Sequence, residues 1–134
     1  MYENIIVALS LDHGIGEIAI ETARKLLSEG GHITIAHVCE PPNSAAVAMV
    51  GDEIFEKVLL DAKSRLSERV VDNSDIQTKV LRGNPGRTLT DYASEVGADC
   101  IVVGSHKPGL SDYFLGSTAA RIVRYASCSV HVVR

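Results

Sequence analysis

Cys100-Ile101-Val102-Val103-Gly104, then, after a loop that carries His106 and Lys107, Gly116-Ser117-Thr118-Ala119-Ala120-Arg121-Ile122-Val123, then Ser129-Val130-His131-Val132-Val133, together make one βαβ unit. The first part is a continuously apolar, β-branched run ended by glycine, as a parallel strand buried on both faces requires. The second opens on small hydroxylated residues that suit a helix start. Working outward, the same alternation recurs through the chain, with strands expected at residues 5–9, 32–38, 76–81, 100–103 and 129–133. Helical stripes fall between them. The first is Ile15, Ile18, Ala19, Thr22 and Leu26, closed by Gly30 and Gly31. The second is Ile54, Val58, Ala62 and Leu66, with Asp52 and Glu53 in its opening turn. The third is Leu89, Tyr92, Ala93 and Val96, with Asn84 as cap, Pro85 at the first helical position and Gly97 at the exit. The fourth runs from Gly116 through Ile122 and Val123 to about Ala126. The order βαβαβαβαβ predicts one α/β domain over residues 1–134, a Rossmann-like, doubly wound sheet of five parallel strands with helices on both faces. Only residues 39–51 are too long for a simple connection. Their Glu40-Pro41-Pro42-Asn43 opening reads as a surface loop, either a plain excursion or a cover over a ligand.

Composition bounds the function. The chain has 134 residues, 46% of them hydrophobic, and 13 Lys and Arg against 17 Asp and Glu give a formal charge of -4. That balance lacks the positive field of a non-specific nucleic-acid binder, so no nucleic-acid partner is expected. The apolar runs fall far short of the roughly 20 residues a membrane helix needs, and the N-terminus lacks the basic and apolar regions of a signal peptide. Three widely spaced cysteines, Cys39, Cys100 and Cys128, argue against a disulfide framework and fit a cytoplasmic protein. The charge is uneven. From residue 101 onward Lys107, Arg121, Arg124 and Arg134 face Asp112 alone, a side-chain net of +3.

Ligands of doubly wound sheets bind beyond the carboxyl ends of the strands, where the strand order reverses. With strand 1 central, that crevice lies between strands 1 and 4 and is lined by residues 10–14 and 104–118. The second segment suits phosphate. Gly104 and Gly116 admit close backbone approach, the helix N-terminus with Ser117 and Thr118 offers donors, and Lys107 offers a counter-charge. The same glycines also suit a plain turn, and Ser117 an ordinary N-cap. No Gly-Lys-Ser/Thr ending marks a Walker A loop. Gly14-Ile15-Gly16-Glu17-Ile18-Ala19 fits a dinucleotide-binding turn with Glu40 as ribose acid, but its first glycine comes too late after the strand, and the chain is short for a dehydrogenase.

Several segments together resemble the universal stress protein family over essentially the whole chain. They are Ile5-Ile6-Val7-Ala8-Leu9, His37-Val38, Gly83-Asn84-Pro85, residues 98–106, Leu115-Gly116-Ser117-Thr118 with the helix that follows, and the ending 128–134. The resemblance implies strand order 3-2-1-4-5, a homodimer formed through the last strand, and ATP bound in the crevice, with Mg²⁺ held only through the nucleotide phosphates. It also implies a stress-response or signalling role with a protein partner that the chain does not identify. The family's nucleotide motif is G-x2-G-x9-G-S/T. Gly104 matches its first glycine and Gly116-Ser117 its last pair, while Lys107 stands at the second glycine and the spacing is one residue short. An acid common in the family at the position of Ser10 is displaced to Asp12. By position, Ala8, Ser10, Asp12 and Val38 are expected on the adenosine side. Val103, Gly104, Ser105, His106, Lys107, Gly116, Ser117 and Thr118 are expected around the phosphates. The competing reading is a nucleotide-free dimeric interaction module on the same fold.

Other residues read as structural. His37 and His131 are expected to pack or to donate one hydrogen bond, and Cys100 to be a buried strand residue. Cys39 and Cys128 lie at element ends, where exposure would allow redox sensing. Asp91 and Glu95 share a helix face but form no acid–base pair, nothing activates a water, and at most slow ATP hydrolysis is expected. The valines of residues 129–133 form an edge strand that must be protected or paired.

Overall fold

A computed structural model describes residues 1–11, 16–41, 51–73, 75–105 and 115–134. Among the described residues five strands, β1 (Tyr2–Ala8), β2 (Leu27–Cys39), β3 (Gln77–Arg82), β4 (Cys100–Gly104) and β5 (Ser129–Val133), alternate with four helices. The helices are α1 (Gly16–Leu26), α2 (Asp52–Arg69), α3 (Pro85–Glu95) and α4 (Ser117–Tyr125). All strand pairs are parallel and the sheet order is β3-β2-β1-β4-β5, so β1 is central and the order reverses between β1 and β4.

The continuous apolar run of β1 is explained by two cores, one on each face of the sheet. Ile5, Val7 and Leu9 face α1 and α2, joining Ala19, Ile20, Ala23, Phe55, Ala62 and Leu66. Ile6 faces α3 and α4, joining Leu89, Ala93, Ile101, Val103, Ala119 and Ile122. From Ile5 to Ala8 the strand is covered on both sides and carries no polar residue.

Two helical stripes differ from expectation. In α1 the buried residues are Gly16, Ala19, Ile20 and Ala23, while Ile18 is half exposed. Glycine and alanine carry this face because they let the helix lie close to the sheet. In α2 the buried set is Phe55, Ala62 and Leu66 with Leu59 beside them, and Ile54 and Val58 are exposed. Arg82 at the end of β3 stacks its guanidinium over the Phe55 ring at 4.6 Å.

α1 also ends earlier than its pattern suggests. Leu27 already pairs with Tyr2, and the register then jumps to Asn4 with His32, so β2 carries an irregularity containing Gly30 at φ 80°. The left-handed glycine therefore serves the strand bulge rather than a helix end. The exit of α3 follows the expected form. Gly97, at φ 69°, donates its N–H to Ser94 O, and Ala98 N–H returns to Ala93 O, the double closure of a Schellman motif. At its start, the Asn84 side chain accepts from Arg87 N–H and Pro85 follows. No described helix is long and apolar enough to cross a membrane.

Candidate functional site

The crest of the sheet is assembled by register. Ala8 closes β1 opposite both Ala36 of β2 and Val103 of β4, and Val38 lies two residues beyond Ala36. Gly104 pairs with Val133 at the end of β5. Beyond the strand, Ser105 N–H donates to Val133 O at 2.8 Å, and Ser105 O accepts from Gly116 N–H at 2.6 Å. That second bond brings the two ends of a ten-residue connection together, and it sets the start of α4 directly after β4. Ala8, Ser10, Val38, Val103, Gly104, Ser105, Gly116, Ser117 and Thr118 are thus gathered at the carboxyl ends of β1, β2 and β4.

They do not all offer the same surface. Val103 is packed in the core between the sheet and the α3–α4 layer, and Ser105 is 2% exposed, so what these two present toward the crest is backbone. Ala8, Ser10, Val38, Gly104, Gly116 and Thr118 are half-buried, and Ser117 is exposed. Asp12, His106 and Lys107 lie outside the described residues, as does most of the loop expected at 39–51.

The start of α4 has the electrostatic character expected of an anion site. Gly116 is its N-cap and no side chain caps the helix. The first-turn N–H groups, which no helix carbonyl can reach, have no backbone acceptor among the described residues and stand at the positive end of the helix dipole. The first intrahelical bond runs from Ala120 N–H to Gly116 O at 2.8 Å. Ser117 and Thr118 add hydroxyls within that turn.

The backbone that leaves β1 is held from both flanking elements. Leu9 N–H donates to Ala36 O at 3.0 Å, and His37 Nδ1 lies 2.8 Å from Leu9 O. A carbonyl only accepts, so Nδ1 carries the proton, and the expectation that His37 donates one hydrogen bond is met. Leu11 O accepts from Arg69 Nη2 at 3.0 Å, with Arg65 Nη2 at 3.5 Å. The α2 arginines had no signal in the sequence: charged residues late in a helix read as a solvated face until the tertiary partner is known.

The cysteines do not form a reactive set. Cys39 is buried, so it lacks the exposure that redox sensing would need, and Cys128 is half-buried. Burial pushes all three thiols up, Cys100 to about 11, with Cys128 and Asp99 adding to the effect there. A thiol held in that range carries little thiolate at neutral pH.

Comparison with known proteins agrees with the fold. The model of the universal stress protein family matches residues 1–134. The chain belongs to the universal stress protein family. Universal stress protein G of Escherichia coli O157:H7 is 31% identical over 142 residues, covering 100% of both chains. The structure of the universal stress protein UspA from Lactobacillus plantarum superposes with a TM-score of 0.80 at 25% identity, covering 99% of this chain and 98% of that one. A universal stress protein from Archaeoglobus fulgidus, solved in complex with dAMP, superposes with a TM-score of 0.62 at 20% identity, covering 99% and 98%.

Proposed function

We propose that this chain, as a single universal stress protein domain over residues 1–134, binds an adenine nucleotide, ATP, in the crevice between β1 and β4 and acts as a cytoplasmic stress-response or signalling module. The observation that carries this reading is the Gly116–Ser105 hydrogen bond, which sets the uncapped start of α4 at the switch point of the sheet. Anions favour that position on dipole and donor grounds alone. The dAMP complex of a family member with the same fold supports an adenine ligand. Ala8, Ser10 and Val38 serve the adenosine side together with Asp12. The backbone of Val103, Gly104 and Ser105, and Gly116, Ser117 and Thr118, serve the phosphates together with His106 and Lys107, with Mg²⁺ carried on the nucleotide. Nucleotide occupancy then biases the crest loops toward one of two arrangements that a protein partner reads. A second copy of the chain pairs along β5, which stands at the end of the sheet order. In this reading turnover is at most slow.

Calorimetric titration with Mg-ATP tests the reading. Gly116 has φ -58°, which alanine adopts without backbone strain, and Gly116→Ala adds a methyl group where this reading puts the phosphates. Saturable heat from the parent and weaker binding by the variant are expected. No heat from the parent overturns the proposal.

A further inference from the structure

We infer that Arg69, together with His37, is a positioning residue for the nucleotide crevice: the two side chains hold the backbone on either side of Ser10. This inference rests on the nucleotide reading above. Leu9 and Leu11 are each 5% exposed, and buried backbone polar groups require partners. The carbonyl of Leu9 takes its hydrogen from His37 on β2, and that of Leu11 takes its hydrogen from Arg69 on α2. The Leu9 N–H is tied to Ala36 on β2 as well. Ser10, between these anchors, has its place set by groups that belong to two other elements.

Arg69 does more than close one bond. A Cβ placed on Gly16 would stand 3.1 Å from Arg69 Nη1, so the same guanidinium lies against the first residue of α1. It therefore donates to the chain where it leaves β1 and lies beside the residue where the chain enters α1. The planar guanidinium can lie flat in this gap while it donates to Leu11 O, a fit that the compact ammonium of lysine reproduces only in part. Arg65, whose Nη2 is at the limit of hydrogen-bond reach from Leu11 O, reinforces the same end. None of these contacts needs a ligand, and that separates positioning from phosphate binding.

The test uses the full-length chain and two probes, Mg-ATP and adenosine, titrated against the parent, Arg69→Ala, Arg69→Lys, His37→Leu and His37→Gln. Arg69→Ala is expected to weaken both ligands by about tenfold, the scale of one lost hydrogen bond from a charged donor. Arg69→Lys recovers part of the loss, and His37→Gln, which keeps a donor, recovers what His37→Leu loses. Amide hydrogen exchange supplies a second readout. In Arg69→Ala and His37→Leu the Leu9 amide loses protection while Ile101 and Val102 in β4 keep theirs. A variant Arg69→Ala that binds both probes like the parent overturns the inference and leaves the nucleotide reading standing. Weakened ATP with unchanged adenosine also overturns it, because that pattern belongs to a direct phosphate contact. A parent that binds neither probe removes the nucleotide reading and this inference with it.

Discussion

Asp99→Asn tests how the sheet is tied at the end opposite the crest. The Asp99 carboxylate accepts Glu3 N–H at 2.8 Å and Asn4 N–H at 3.0 Å, while Asp99 N–H donates to Asn4 O at 3.0 Å. These bonds join the start of β1 to the residue before β4. Asparagine keeps one acceptor and turns an NH₂ group toward the other N–H, so one bond to a charged acceptor is lost. Such a bond contributes about 1.5–3 kcal/mol when well buried, and the half-buried position reduces this to about 1–1.5 kcal/mol. With an unfolding entropy of about 2.1 cal/mol/K per residue, the 134-residue chain changes by about 0.28 kcal/mol per degree. Tm at pH 7 is therefore expected to fall by about 4–5 °C in scanning calorimetry. The pH dependence follows from the carboxyl's own titration. Burial pushes Asp99 up, but the N–H donors of Glu3, Asn4 and its own backbone, with the terminal ammonium, outweigh it and hold the group below the usual carboxylate range. A lowered folded-state value means the contribution is complete above the unfolded value of about 3.9 and is lost as pH falls through the folded one. The gap between parent and variant should therefore close in acid. Equal Tm values at pH 7, or a gap that widens as pH falls, would refute the reasoning.

Three further outcomes are expected. A Cβ on Gly86 would lie 2.7 Å from Arg121 Cβ, where α3 and α4 touch. Gly86→Ala should thus cost about 1–3 kcal/mol in urea unfolding, despite the ~0.5–1 kcal/mol that alanine adds to a helix. Thiol labelling at pH 8 should leave Cys39 and Cys100 unmodified in the folded protein and modify all three cysteines in denaturant; rapid folded-state labelling of Cys100 would contradict its burial. Deleting residues 129–134 removes β5 and the Val133 acceptor of Ser105, and light scattering should then report monomer or aggregate. An unchanged dimer would exclude pairing through that strand.

The sheet was legible because β1 from Ile5 onward and β4 are apolar without interruption, and only strand segments covered on both faces tolerate that. The helical faces were less legible, and α2 shows why. At about 100° per residue, a run spaced by four, such as Ile54, Val58, Ala62 and Leu66, drifts by about 40° at each step and spreads over about 120°. Phe55, Leu59, Ala62 and Leu66, spaced four, three and four, stay within about 60°, and this set is the one that meets the sheet. In α1 the misreading has a different cause. Its inward face includes Gly16, Ala19 and Ala23, so the small residues that permit close packing carry less hydrophobic signal than the exposed Ile18.

The candidate site divides along the same line. Glycines, hydroxyls and a strand end are local features, so the crest between β1 and β4 could be placed from the residues that form it. The contacts that hold its backbone are not local. Leu11 O and Arg69 are 58 positions apart, and Leu9 O and His37 are 28 apart. Neither arginine spacing nor strand periodicity encodes a carbonyl that lacks a partner. That need arises only once Leu9 and Leu11 are buried, and burial is a property of the assembled sheet and helices. A short sequence motif can therefore specify the groups that would face a nucleotide, while the fixed geometry they need comes from distant residues whose types look unremarkable in their own segments. Substitutions at Arg69 or His37 should consequently separate the two contributions, altering ligand affinity in a chain whose entire crest motif is intact.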